Sequence, residues 1–226
     1  MDILVFNKGK RIKGNLNRLK QIDDNDRNLY YLFSSILNVD YNYVDTDVAH
    51  KRLERVFAYE LYHQWSKQID EMNKQYNNTT DYYLLNGETV KDMSHFRIDC
   101  SNVNTFPDMI LHKSMDRPIG QAIVCEIKRT SNFSDNGFED DIKKLRQFVC
   151  EQQNDYTFNF GVFVLVGNKI KAVLEKMDSL NWTIRRRKIK SDKIMLVAYD
   201  GNQLEAVSLY NALDKKERKK YIAAQI

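Results

Sequence analysis

The sequence is short of the residues that break regular structure. Two prolines and eight glycines in 226 residues leave little room for low-complexity linkers and argue against a turn-dense all-β fold. Cysteine is scarce as well. Cys100, Cys125 and Cys150 have no metal-ligand spacing, and three thiols cannot all pair with one another, so a reducing cytoplasm is the expected compartment. No apolar run approaches the roughly 18 residues that a membrane span requires, so no membrane partner is expected. The opening residues, MDILVFNKGKRIKG, put an acid ahead of a short apolar patch and offer no small-residue cleavage site; they do not read as a signal peptide. Nor does either charge dominate. The formal net charge is +4, a mild balance that permits a nucleic-acid partner without demanding one.

What is present is globular: 42% hydrophobic and 29% charged residues. The length favours a single domain. Residues 1–48, irregularly patterned, read as an N-terminal extension, helical or hairpin, that is not an independent domain; residues 49–226 carry the regular pattern. Basic clusters stand at Lys8–Lys13, Arg185–Lys193 and Lys215–Lys220, and such runs are more often solvated faces than phosphate tracks.

From about His50 to Tyr76, Leu53, Val56, Phe57, Leu61, Trp65, Ile69 and Met72 follow the three-to-four spacing of an amphipathic helix. Glu60 breaks its apolar stripe, and Gln64 follows one turn on. Tyr82–Leu85, Asn86-Gly87 and Glu88–Val90 read as a hairpin with an Asn-Gly turn. Phe106–His112 and Gln121–Arg129 read as strands joined by a polar loop. Asp135–Gln152 reads as a second helix, with Phe138, Ile142, Leu145 and Val149 on one face. Phe158–Val166 is a nearly unbroken apolar run, as in a strand covered on both faces. A helix at Ile170–Leu180, a strand at Lys193–Tyr199, a short segment at Ala206–Leu209 and a basic terminal helix complete the order. That order is α/β, a sheet covered by helices on both faces.

Two strands carry polar residues that are costly to place there. A period of two puts Glu126 and Lys128 on one face of their strand and Cys125 and Ile127 on the other. A carboxylate and an ammonium at the end of an apolar strand must be paired, wet or bound to metal. Asp108, straight after Pro107, opens the preceding strand and can face the same side. Acidic oxygens on adjacent strands suit Mg²⁺, which takes few protein carboxylates and keeps several waters. Lys128 can orient a water or neutralise charge building on a phosphate.

Pro107-Asp108 followed, eighteen positions after Asp108, by Glu126-Ile127-Lys128 resembles the signature of the PD-(D/E)xK nuclease superfamily, over a region from about Leu53 to Tyr199. The resemblance implies a restriction-endonuclease-like core with a central mixed β-sheet flanked by helices. It implies Asp108, Glu126 and the Ile127 carbonyl as metal ligands and Lys128 as the residue that assists the water. It implies Glu60 as the glutamate contributed by the preceding helix. On the helix after the Glu-x-Lys strand it points to Asp141, Lys144 and Gln147, with Lys144 and Gln147 expected to face nucleic acid. Arg185, Arg186 and Arg187 are added to that nucleic-acid set as the basic cluster. The implied activity is phosphodiester hydrolysis, with DNA the expected substrate, Mg²⁺ the cofactor, Mn²⁺ a substitute, and a homodimer compatible with the family.

Plainer readings stand beside these. Glu126 and Lys128 can be a same-face pair on an exposed edge strand, although the flanking residues read as a buried central strand. Glu60 can be a polar residue at a helix seam. His63 and His112 read as packing histidines, Glu88 and Lys91 as alternation on an exposed strand, and Trp65 and Trp182 as core. An alternative of a different class is a catalytically silent nuclease-fold module that binds nucleic acid or a protein.

Overall fold

Strands that are apolar on both faces belong in the middle of a sheet, and here they are. The computed structural model describes residues 3–8, 24–44, 54–75, 82–87, 107–113, 121–150, 158–180 and 191–224. The strands are β1 (Leu4–Asn7), β2 (Tyr83–Gly87), β3 (Met109–Lys113), β4 (Gln121–Arg129), β5 (Phe158–Val166), β6 (Ile194–Tyr199) and β7 (Gln203–Ser208). The helices are α1 (Asp24–Asn38), α2 (Glu54–Gln75), α3 (Asp135–Cys150), α4 (Ile170–Ser179), α5 (Leu209–Ala212) and α6 (Lys215–Ala223).

All seven strands form one sheet in the order β1-β7-β6-β5-β4-β3-β2. The pairs β4–β5 and β5–β6 are parallel; the others are antiparallel. The sheet is therefore mixed, with a parallel centre. A parallel step needs a crossover, and α3 and α4 supply the two. Both steps run the same way along the sheet, so the handedness rule puts both helices on one face. The opposite face is left to α1 and α2. Strand alternation follows this division. Ile123, Cys125, Ile127, Val162, Val164 and Val197 join the core beneath α1 and α2, while Val124, Phe163, Leu165 and Leu196 join the core beneath α3 and α4.

Two glycines matter to this packing. Gly161 on β5 lets α3 come close: a Cβ there would lie 3.2 Å from the Cβ of Leu145. Gly201, at φ +99°, turns β6 into β7, and a Cβ there would strike the ring of Tyr41 at 2.5 Å.

Several expectations need adjustment. The Asn86-Gly87 turn is not there. Both residues lie within β2, paired with Ile110 and Met109 of β3; the strand that β2 needs is β3, further along the chain, and a turn dipeptide is only a turn where its flanks pair with each other. Within the N-terminal extension, the described strand β1 builds into the sheet itself. β1 pairs with β7 as the edge, and Phe6 packs on Phe33 of α1 with ring centroids 5.9 Å apart. The short Ala206–Leu209 segment is a full strand, β7, running into α5. Glu88, Lys91, Cys100, Trp182 and Arg185–Arg187 lie outside the described residues. Trp65 is fully buried, and Cys125 is a buried free thiol. No helix among the described residues is long and apolar enough to cross a membrane.

Candidate active site

Pro107 decides where β3 begins. The β3–β4 register pairs Met109 with Cys125 and Leu111 with Ile123; continued by one residue, it sets Asp108 opposite Glu126, and by two, Pro107 opposite Ile127. Residues directly opposite share a face, so Asp108 stands on the Glu126 side. Pro107 has no N–H to extend the ladder. The vacated backbone site is taken by a side chain instead: Ile127 N–H donates to Oδ2 of Asp108 at 2.6 Å. A strand residue's N–H and C=O project to the same edge, so the Ile127 carbonyl also points toward β3, where Pro107 cannot donate to it. The end of the ladder thus sets Asp108 opposite Glu126, with the Ile127 backbone beside them.

The second layer of charge comes from α3. Its first half begins just past the C-terminal end of β4 and lies over the Glu126 face. Asp141 follows Phe138 by three residues and precedes Ile142, which places it in the buried stripe. Lys144 Nζ lies 3.0 Å from Oε1 of Glu126 and 3.1 Å from Oδ1 of Asp141. Lys128 Nζ lies 3.4 Å from Oδ2 of Asp141 and 3.6 Å from Oε1 of Glu54, the first residue of α2. Asp141 therefore bridges the two lysines, one on each oxygen. Both it and Glu126 are buried. Oε1 of Glu126 and Oδ2 of Asp141 nevertheless receive no well-directed hydrogen bond among the described residues; their lysines are near in distance but poorly aligned.

Burial with like charge sets the protonation. Burial, then the neighbouring Asp108, push the Glu126 carboxyl up to about 8, against the opposing pull of Lys144. Asp108 rises to about 6, chiefly through burial, with the Ile127 N–H and Lys128 acting the other way. For Lys128, burial works to lower its basicity, but Asp141, Glu54, Asp108 and Glu126 together outweigh it and raise it. Lys144 behaves alike, burial being overcome by Glu126 and Asp141. Both lysines stay charged.

The sequence-derived residues divide. Asp108, Glu126 and Lys128 come together, with the Ile127 backbone between them. Lys144 joins them, but on Glu126 rather than on an outward face. Gln147 does not: α3 runs back from the end of β4, each turn carries its residues about 5.4 Å further away, and Gln147 is half-buried with no hydrogen bond or ion pair among the described residues. Glu60 is held on its own helix by Gln64, whose Nε2 donates to it at 2.6 Å, and by His63 at 3.7 Å. The glutamate that α2 brings to the cluster is Glu54. Glu54 and Glu60 flank Phe57 at three residues on either side, about 60° round the helix in opposite senses and about 9 Å apart along it. The apolar stripe marks both equally; only the end of the helix that passes Lys128 decides between them. His112 is buried between Asn86 and its neighbour's backbone, with Nδ1 donating to the Lys113 carbonyl and Nε2 accepting from Asn86. Burial lowers its basicity.

The donor set can be judged by its chemistry. Four carboxylates (Asp108, Glu126, Asp141 and Glu54) face two ammonium groups, an excess of two negative charges when all are ionised. Asp108, Glu126 and the Ile127 carbonyl are hard oxygens that fit Mg²⁺ or Mn²⁺. Among the described residues no group of three or more His, Cys, Asp or Glu is gathered as a metal cage; two carboxylates, a carbonyl and waters is the smaller protein share that Mg²⁺ takes. Comparison with protein-family models, with curated proteins and with solved structures returns no match to this chain.

Proposed function

We propose that this chain is a metal-dependent nuclease of the PD-(D/E)xK type with a restriction-endonuclease-like core, hydrolysing phosphodiester bonds in nucleic acid, DNA being the expected substrate. The observation that carries the reading is the charge arrangement at the end of β3 and β4. A buried carboxylate, Glu126, and a half-buried one, Asp108, stand opposite each other across a ladder that proline interrupts, the cluster when ionised has the anionic excess of one divalent ion, and a charged lysine stands two residues past Glu126. Asp108, Glu126 and the Ile127 carbonyl would hold Mg²⁺, with Mn²⁺ as a substitute. When bound, the ion acidifies a water and polarises the phosphoryl oxygen. The chain's own residues do the rest. Lys128 presents a cation to the attacking water and to charge developing on phosphate. Asp141 and Glu54 hold that ammonium from two sides, so its position is set before substrate arrives. Burial of Glu126 keeps bulk water from competing for its oxygens.

One observation favours a second reading. Lys144 already sits on Glu126, so the cluster is partly neutralised from within, as it would be in a catalytically silent module that binds nucleic acid or a protein. The two readings separate on one assay. Supercoiled plasmid, linear duplex, single strands and RNA are incubated with the protein in Mg²⁺, Mn²⁺ or EDTA, with Asp108→Asn in parallel. Metal-dependent cleavage that Asp108→Asn abolishes supports the nuclease; no cleavage of any substrate in either metal decides for the silent module.

A further inference from the structure

An ammonium held against a carboxylate opposes the entry of a second cation on the same group, by charge repulsion and by taking up part of its lone-pair capacity. We propose that Lys144 is a built-in competitor of the metal: its ammonium stands against Glu126, one of the carboxylates a divalent ion would use, and Asp141 is the alternative seat to which it withdraws when the ion enters. The inference rests on the reading of Asp108 and Glu126 as metal ligands.

The geometry supplies each part. Lys144 Nζ stands 3.0 Å from Oε1 of Glu126, inside the protein, where an ammonium is held by few partners and water does not dilute the contact. The same Nζ stands 3.1 Å from Oδ1 of Asp141, three residues earlier on the same helix. The lysine need not leave the protein or lose all its pairing when it leaves Glu126; it keeps one carboxylate of the two. Asp141 Oδ2 meanwhile lies toward Lys128, so the shift loads Asp141 more heavily and leaves Lys128 in place. Affinity for the divalent ion is then the intrinsic affinity of the ligands reduced by the work of moving Lys144. Monovalent ions, with no more charge than the ammonium they would displace, gain nothing by the exchange.

Two substitutions should move metal affinity in opposite directions, although neither residue is a metal ligand. Lys144→Met removes the competitor and should tighten Mn²⁺ and Mg²⁺ binding by about tenfold or more, the scale on which groups touching a metal ligand alter its affinity. Asp141→Asn removes the alternative seat, confines Lys144 to Glu126, and should weaken binding by a similar factor. Combined, Asp141→Asn should have little further effect, because no lysine remains to be reseated; the double-mutant cycle isolates that coupling. Lys128→Met is the control for the general field, removing a nearby charge that does not touch Glu126, and should change affinity less than Lys144→Met.

The readouts are calorimetric titration with Mg²⁺, electron paramagnetic resonance of free Mn²⁺, and the rise in melting temperature that each metal produces. The thermal rise should be larger in Lys144→Met than in the wild type, a within-variant difference that stays readable if the substitution lowers the starting stability. Metal binding that Asp108→Asn weakens but Lys144→Met leaves unchanged would overturn the competitor while the metal centre stands. Equal tightening by Lys128→Met and Lys144→Met overturns it too, as a field effect. Absence of any divalent binding to wild type and Lys144→Met alike removes the metal centre and the inference together.

Discussion

At the scale of single residues, burial acts strongly on Glu126. Its ordinary value is 4.5 and in the fold it rises to about 8, so the fold favours the protonated acid. The sign of the linkage follows. The contribution of Glu126 is fully present below the unfolded value and is lost as pH rises through the folded one, between about 4.5 and 8. In EDTA, the melting temperature of the wild type should therefore fall over this window relative to Glu126→Gln. The glutamine variant should melt higher by on the order of 5 °C at the alkaline end and match the wild type near pH 5. Parallel melting curves across the window would refute the assignment. The other two principal residues separate by role. Lys128→Met should still bind Mg²⁺ but cleave about 10²–10³-fold more slowly, the loss typical of removing one preorganised donor. Asp108→Asn should lose metal affinity and rate together, since a neutral amide is a poorer ligand for a hard dication. Single-turnover cleavage alongside metal titration distinguishes the two patterns.

At the scale of elements, legibility tracked burial. β4 and β5 occupy the limits their apolar runs suggest, Gln121–Arg129 and Phe158–Val166, because a strand buried on both faces has no polar face to blur its ends. β1 was not legible. Four residues on a sheet edge, with one face and one edge exposed, carry no period long enough to read. The Asn86-Gly87 dipeptide misled because turn chemistry is local and strand pairing is not. The site shows the same limit. Alternation puts Glu126 and Lys128 on one face, which depends only on their own strand, while Asp108 reaches that face through the β3–β4 register, which the sequence suggests only by placing Asp108 just ahead of the preceding strand. The helical contribution depends on where α2 passes β4, which no stripe encodes; Glu60 was favoured and Glu54 is the residue at Lys128. A direct comparison checks this. Glu54→Gln should slow cleavage by about tenfold, as expected for a group that orients a catalytic one, by loosening one side of the Lys128 ammonium. Glu60→Gln, with its partners Gln64 and His63 on the same helix, should stay within about twofold of the wild type, as surface substitutions generally do. Reversed effects would mean that α2 docks differently during catalysis.

At the scale of the whole molecule, the parallel strands give the sheet two unlike ends. The cluster lies at the C-terminal end of β4, where crossovers begin and where ligands gather in sheets of this kind. Arg185–Arg187 belong to the chain between Leu180, which closes α4, and Ser191–Lys193, which leads into β6. Both of these described flanks stand at the opposite end of the parallel strands. As a run of three cations distant in sequence from Asp108, Glu126 and Lys128, the cluster is expected to add phosphate contacts to a long substrate rather than to take part at the reacting atoms. If the proposed nuclease binds DNA through this cluster, each phosphate contact released on adding salt contributes a slope of about −0.9 for duplex DNA. Replacing the three arginines with alanine should therefore weaken binding to a long duplex and flatten its salt dependence by up to about three contacts' worth. The single-turnover rate at saturating substrate, and the affinity for Mg²⁺, should not move. Unchanged binding and slope would show the cluster to be a solvated face; a fall in the saturated rate would show that it reaches the scissile phosphate.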